Sequence, residues 1–184
     1  ELLRAPEQYY DKEVTVCGWA KTIRDSKSFG FIELNDGSYF KNCQVVFARD
    51  VISNYDEIAK QNVGACIQVK GQVILTPENK QPFEINADSV EVLGTSSPEY
   101  PLQKKRHTLE YLRTIPHLRV RTNTFNAVFR VRSVVSAAVH EFFQNRRFVY
   151  VHTPLITASD CEGAGEMFKV TAIGYSNEYK SEED

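Results

Sequence analysis

The run DCEGAGEMF, residues 160–168, sets two carboxylates, Glu162 and Glu166, among glycines that leave the backbone permissive. A carboxylate placed there is a charge-assisted hydrogen-bond acceptor. A second set of chemically capable residues lies far upstream. In SFGFIEL (28–34), strand alternation turns Phe29, Phe31 and Glu33 to one side and Gly30, Ile32 and Leu34 to the other. Ile32 and Leu34 suit a buried interior, which leaves Phe31 on an outer face. There it either covers a loop or stacks on a nucleobase, a contact worth roughly 1–3 kcal/mol. Gln44 can offer both a donor and an acceptor to a base edge. Glu84, in PFEIN, alternates away from Phe83 and Ile85 onto a polar face. Arg24, expected to open the loop after the first strand with Lys21 and Lys27 nearby, suits a phosphate or a base.

These residues need a scaffold, and residues 12–94 read as β. EVTVCGWAKTIR is followed by SFGFIEL, and an Asn-Asp-Gly turn at 35–37 leads into KNCQVVFA. VISNYDEIAK has helical spacing, after which GACIQVKGQVILTP and PFEINADSVEVLG resume the strands. Five strands with one helix between the third and fourth is the layout of an OB-fold, a Greek-key barrel that often binds single-stranded nucleic acid. TSSPEYPLQKKRH (95–107) reads as a linker. TLEYLR makes a short helix capped by Thr108 and stopped before Pro116. From Thr122 or Asn123 a long amphipathic helix begins, with Val128, Val131, Val135, Ala138 and Phe142 at three-four spacing. A second apolar line, Val134, Val139 and Phe143, makes the stripe wide enough for two packing surfaces, either within one domain or with a second subunit. A strand is expected at Phe148–Val151, ended by Pro154. One helix, one strand and a loop do not make an independent core, so a truncated second domain is expected.

The net charge of −2 divides unevenly. Residues 101–147 carry ten Lys or Arg against Glu110 and Glu141, a local balance of +8 that suits a polyanion. Residues 12–94 carry nine basic and eleven acidic side chains. A sequence-tolerant single-strand binder relies on a positive groove, so this slightly acidic barrel fits selective reading of splayed loop bases better. No apolar run approaches the roughly 18–20 residues of a membrane span. Cys17, Cys43, Cys66 and Cys161 are widely spaced and read as reduced, buried small hydrophobes, and a cytoplasmic protein fits best.

The run FNAVFRVRSVVSAAVHEFFQNRRFVYVHTPLIT resembles motif 1 of the class II aminoacyl-tRNA synthetases: a long helix, a strand and a proline, here Pro154. With VCGWAKTIRDSKSFGFIEL and CQVVF before it, the chain resembles the subgroup that charges tRNA with aspartate, asparagine or lysine. PLITASDCEGAGEMFKVT resembles the bacterial asparaginyl branch of that subgroup. The resemblance implies an OB-fold anticodon-binding domain over 1–94, a hinge over 95–121, and the first part of an antiparallel α/β class II catalytic domain over 122–184. It implies that Phe31 stacks on the central anticodon base, that Gln44 bonds an anticodon uridine, and that Glu84 and Arg24 complete the anticodon site. It places Glu162 on a loop closing over the amino acid's ammonium and Pro154 at a dimer interface. The basic side chains from Lys104 to Arg121 would face the tRNA stem backbone.

The implied reaction of the whole enzyme joins L-asparagine to ATP with Mg²⁺, then transfers the acyl group to tRNA(Asn). Motifs 2 and 3, which the family uses to hold ATP, are not in these residues, so no catalytic residue, metal ligand or bound cofactor is expected in this segment alone. An aspartate-charging relative and a non-catalytic tRNA-binding, dimerising module are the alternatives.

Overall fold

The computed structural model describes residues 1–79 and 81–157. The chain divides into two compact units, Glu1–Val134 and Val135–Asp184. Five strands of the first unit, β1 (Glu13–Asp25), β2 (Phe29–Asn35), β3 (Cys43–Ala48), β4 (Cys66–Leu75) and β5 (Phe83–Gly94), close into a barrel in the order β1-β2-β3-β5-β4. All pairings are antiparallel except β3 with β5, which run parallel through Val45↔Ile85 and Val46↔Asn86. This is the expected OB-fold.

Alternation drives the closure. In β2 and β3 every second residue is buried, and Ile32, Leu34, Val45 and Phe47 meet Ile67, Val69, Val73 and Ile85 from β4 and β5 inside. Helix α1 (Tyr55–Ala59) stoppers the barrel with Tyr55 and Ile58. It is shorter than the spacing of VISNYDEIAK predicts, because the N–H groups of Val51 and Ile52 both turn back to the Ala48 carbonyl. Two glycines mark close approaches. A Cβ on Gly71 would lie 2.1 Å from the Asn86 carbonyl oxygen, and one on Gly30 would lie 2.3 Å from Cζ of Phe47. Only a missing side chain lets β4 lie against β5, and Phe47 fill the interior, at these points.

Strand β1 departs from simple alternation. Trp19 pairs with Asn35 and Ala20 with Leu34, but the next partner pair is Thr22↔Glu33, leaving Lys21 as a β-bulge. Beyond the bulge, Ile23 pairs with inward Ile32 and Arg24 with outward Phe31. Arg24 therefore lies inside the strand, not in the loop after it. The extra residue aims it at the outer face, a common use of bulges next to sites.

The cysteines differ from one another. Cys43 is buried, and burial pushes its thiol up to about 12. Cys66 is half-buried. Cys17 is exposed on β1, which corrects its reading as a core residue: it precedes the bulge at an outward position.

After the barrel, α2 (Leu109–Thr114) is capped by Thr108, whose hydroxyl accepts from the Tyr111 N–H at 3.2 Å. A further turn, α3 (Pro116–Arg119), starts on Pro116, where a missing N–H costs nothing. Helix α4 (Asn123–Gln144) is capped by the Thr122 hydroxyl, which accepts from the Phe125 N–H. Its two apolar lines are exposed along their length, from Val128 to Phe143. In the second unit α4 ends in a Schellman motif: the Phe148 N–H reaches the Phe143 carbonyl, the Arg147 N–H reaches Gln144, and Arg147 has φ 66°. The rings of Phe143 and Phe148 meet at 5.4 Å, the apolar contact that accompanies this ending.

No strand forms at Phe148–Val151, contrary to expectation. The β-branched and aromatic run has the propensity, but no hydrogen-bonded neighbour among the described residues supports a ladder. Pro154 follows, exposed and outside any helix or strand. Glu162, Glu166 and Cys161 lie outside the described residues.

Candidate nucleic-acid interface

Two rows of side chains cross the outer face of the barrel. Strand pairing sets Arg24, Phe31, Val46 and Asn86 in one row, on β1, β2, β3 and β5. The second row holds Glu33 and Gln44 by pairing, and Gln44 reaches Glu84 on β5, whereas Thr22, which pairs with Glu33, is buried. Four residues singled out from the sequence, Arg24, Phe31, Gln44 and Glu84, thus come together on one surface from four strands.

Phe31 is half-buried, its ring edge-on to Phe29 at a centroid distance of 5.4 Å. The Arg24 guanidinium lies 5.6 Å from the Phe31 centroid and 4.0 Å from a Glu33 carboxylate oxygen. That ion pair is solvated and contributes little stability. Its effect is to hold a planar cation beside the ring. Gln44 Nε2 donates to Glu84 at 3.2 Å, which orients the amide and leaves its Oε1 and second N–H open to a base edge.

Sequence reasoning missed Asn42 and Asn86. Asn42 donates to Glu33 at 3.1 Å and accepts from Asn35 at 3.0 Å, so it fixes the rim beside Gln44. Exposed Asn86 shares the row of Phe31; the alternation Glu84, Asn86, Asp88 was the available signal. A cleft of about 360 Å³ adjoins this surface, lined by Glu33, Phe40, Asn42, Gln44 and Pro82 among others.

A polar clamp secures the loop between β1 and β2. The Tyr55 hydroxyl donates to Asp25 at 2.6 Å, and the Lys27 N–H donates to the same carboxylate at 2.7 Å. Arg49 stacks on Tyr55 at 4.1 Å and donates to the Lys27 carbonyl at 2.7 Å. Burial, then the bond to Asp25, pushes the Tyr55 phenol up to about 12, whereas the bond from Tyr55, followed by that from Lys27, holds Asp25 below the usual carboxylate range. The folded phenol keeps its proton where an unfolded tyrosine, near 10, loses it. The clamp's contribution is therefore complete below about pH 10 and falls away as pH rises toward about 12. An ultraviolet tyrosinate titration is expected to show a late phenol that Asp25→Asn moves earlier. A Tyr55 phenol ionising near 10, as an unfolded tyrosine does, would contradict the clamp.

The basic segment is less uniformly open than its sequence implies. Lys104, Lys105, Arg106 and Arg113 are exposed. Arg119 instead lies over Phe125 at 4.8 Å and Phe129 at 5.7 Å, and Arg121 lies over Trp19 at 4.4 Å. Stacking on the rings draws these two guanidiniums into packing, away from a purely solvated face.

No group of three His, Cys, Asp or Glu suited to a metal ion occurs among the described residues, and no described helix is long and apolar enough to cross a membrane.

Comparison with known proteins matches residues 14–93 to the OB-fold nucleic acid binding domain and residues 108–181 to the class II tRNA synthetases (D, K and N). The chain is 60% identical over 183 residues to the asparagine–tRNA ligase of Clostridium kluyveri and 59% identical over 182 residues to that of Acetivibrio thermocellus. These alignments cover 100% and 99% of this chain but 39% of each relative. In fold it is similar to the asparaginyl-tRNA synthetase of Pyrococcus horikoshii complexed with asparaginyl-adenylate, with a TM-score of 0.80 at 22% identity, over 90% of this chain and 38% of that one. The aspartyl-tRNA synthetase of Entamoeba histolytica gives 0.73 at 19% identity, over 86% of this chain and 39% of that one. A closed barrel and the start of a class II domain agree with the comparisons: the chain carries the OB-fold nucleic acid binding domain and part of the class II tRNA synthetase family of the aspartate, lysine and asparagine group, and along nearly its whole length it is similar to the asparagine–tRNA ligases, of which it spans about two fifths.

Proposed function

We propose that this chain supplies the anticodon-reading part of an asparagine–tRNA ligase, with Phe31 as the stacking platform and Arg24, Gln44 and Glu84 as the groups that select and hold the anticodon bases. The observation that carries the reading is the convergence of those four side chains on one face. An aromatic ring gives base-independent stacking, while a pre-oriented amide beside a carboxylate adds selectivity. The whole enzyme then activates L-asparagine with ATP and Mg²⁺ and passes the acyl group to tRNA(Asn). In that reaction Glu162 contacts the substrate ammonium. The exposed apolar lines of α4, with Pro154 beyond them, support a homodimer, and the cytoplasm suits its substrates.

The test compares this chain's binding to tRNA(Asn) with its binding to the same tRNA carrying a changed central anticodon base. Wild type is expected to prefer the unaltered tRNA by roughly 10-fold or more, and Gln44→Ala to erase most of that preference, at about 1–3 kcal/mol for a lost base-specific pair. Equal binding of both tRNAs by wild type would refute the reading. Amino-acid-dependent pyrophosphate exchange by the full-length enzyme, with asparagine and aspartate side by side, tests the substrate.

A further inference from the structure

Helix α4 is exposed along most of its length, yet near its start Phe125, Asn126, Ala127 and Arg130 are half-buried. Asn126 and Arg130 stand one turn apart and face a cavity of about 410 Å³, bounded also by Trp19, Asn35 and Gly37 of the barrel. Arg130 reaches across it. Its Nε donates to Asn126 Oδ1 at 2.6 Å, which fixes the guanidinium on its own helix, while Nη2 donates to the Gly37 carbonyl in the loop between β2 and β3. The same guanidinium lies 5.5 Å from the centroid of the Phe40 ring. The ion pairs among the described residues do not include Arg130, so its contacts are an amide, a carbonyl and a ring. Those neutral partners are what the β2–β3 loop offers, and they suit a clamp rather than a charge pair.

The clamped loop ends on the reading face. Asn35 gathers it from within: Nδ2 donates to the carbonyls of Tyr39 and Lys41 at 3.2 and 3.3 Å and to Asn42 Oδ1 at 3.0 Å, and Oδ1 accepts from the Gly37 N–H at 2.8 Å. Asn42 then donates to Glu33 at 3.1 Å, and Glu33 is the carboxylate beside Arg24. Phe40 and Asn42 also wall the cleft that Gln44 lines. Gly37 and Phe40, the two loop residues that Arg130 holds, therefore flank the network that orients the base-reading groups.

We propose that Arg130 is a positioning residue for base selection: from outside the barrel it pins the β2–β3 loop, so that Phe40 and Asn42 keep the wall beside Gln44 in one arrangement. The role touches no base itself, and it rests on the reading that the Phe31 face binds the anticodon. A site whose supporting shell is loose by an ångström loses selectivity before it loses binding.

The full chain carrying Arg130→Gln, Arg130→Lys, Arg132→Gln or Phe40→Ala is titrated with tRNA(Asn) and with the same tRNA bearing a changed central anticodon base, at several salt concentrations. Arg130→Gln is expected to cut the wild-type preference by roughly 3-fold or more. Its log–log salt slope should stay that of wild type, whereas a lost phosphate contact would flatten it by about 0.7–0.9. Arg130→Lys should lose nearly as much preference, because an ammonium cannot bond Asn126 and Gly37 together in the fork geometry. Arg132→Gln removes the same charge from an exposed neighbour on α4 and should keep the preference. Adding Phe40→Ala to Arg130→Gln should deepen the loss little, as for two groups that act through one contact. Hydrogen exchange over residues 36–42 should quicken in Arg130→Gln while the barrel strands exchange as before. Unchanged exchange in that loop, or wild-type preference in Arg130→Gln, overturns the positioning role and leaves the reading face standing. Full rescue by Arg130→Lys with a flattened slope for Arg130→Gln overturns it in favour of a direct phosphate contact. Wild type without any preference removes the reading face itself, and this role with it.

Discussion

Phe47→Ala is expected to remove about 3–5 kcal/mol of folding stability, as emptying a core phenylalanine site does. The ring is completely buried, fills the space left by Gly30, and packs on Tyr55 at 4.8 Å. The cavity cannot collapse easily, because the floor is backbone of β2 and the far wall is the clamped α1. A domain of this size has about 5–15 kcal/mol in total, so a large part of the whole would go. Urea unfolding followed by far-ultraviolet circular dichroism should show a midpoint lower by a few molar, since small domains lose about 1–3 kcal/mol per molar urea. Val51→Ala, at an exposed valine, should change stability by under about 0.5 kcal/mol. A Phe47→Ala loss below about 1 kcal/mol would mean that the barrel interior is not packed as described. Because Gly30 directly precedes Phe31, the variant should also loosen the platform from beneath.

Phe31→Ala separates function from folding. The side chain is half-exposed and lies outside the core cluster, so stability should move by less than about 1 kcal/mol. Affinity for tRNA(Asn) should fall by about 1–3 kcal/mol, roughly 5- to 150-fold, the cost of one lost base stack. Phe31→Tyr should restore most of it, since a phenol ring stacks as well. Filter binding at several salt concentrations checks both points. The loss should be nearly constant with salt, because stacking releases no counterions. An Ala variant that binds as wild type at every salt concentration would remove Phe31 from the interface.

Much of this was legible from alternation. The burial of SFGFIEL follows the expected two-residue period from Phe29 to Leu34, and Glu84 points out between buried Phe83 and Ile85. Thr108 and Thr122 cap the helices as their side-chain chemistry requires. Arg24 was placed near the right partners but in the wrong element, because a bulge has no compositional mark: Lys21 reads as an ordinary strand residue until its pairing is known. Cys17 was misread for a related reason, since small apolar residues fit either side of a strand. The expected strand at Phe148–Val151 rested on propensity, which cannot form a ladder without a neighbour. Arg119 and Arg121 were read from charge, and charge alone does not reveal the aromatic rings that take up their faces.

The surplus residue at Lys21 gives the two ends of β1 opposite parity. Odd-numbered side chains look outward as far as Trp19, whereas past the bulge even-numbered Arg24 is exposed and Ile23 packs against the core. Trp19 and Arg24 are therefore kept in phase by chain length alone. Adding or deleting a single residue between them would turn Arg24 toward the oily centre of the barrel.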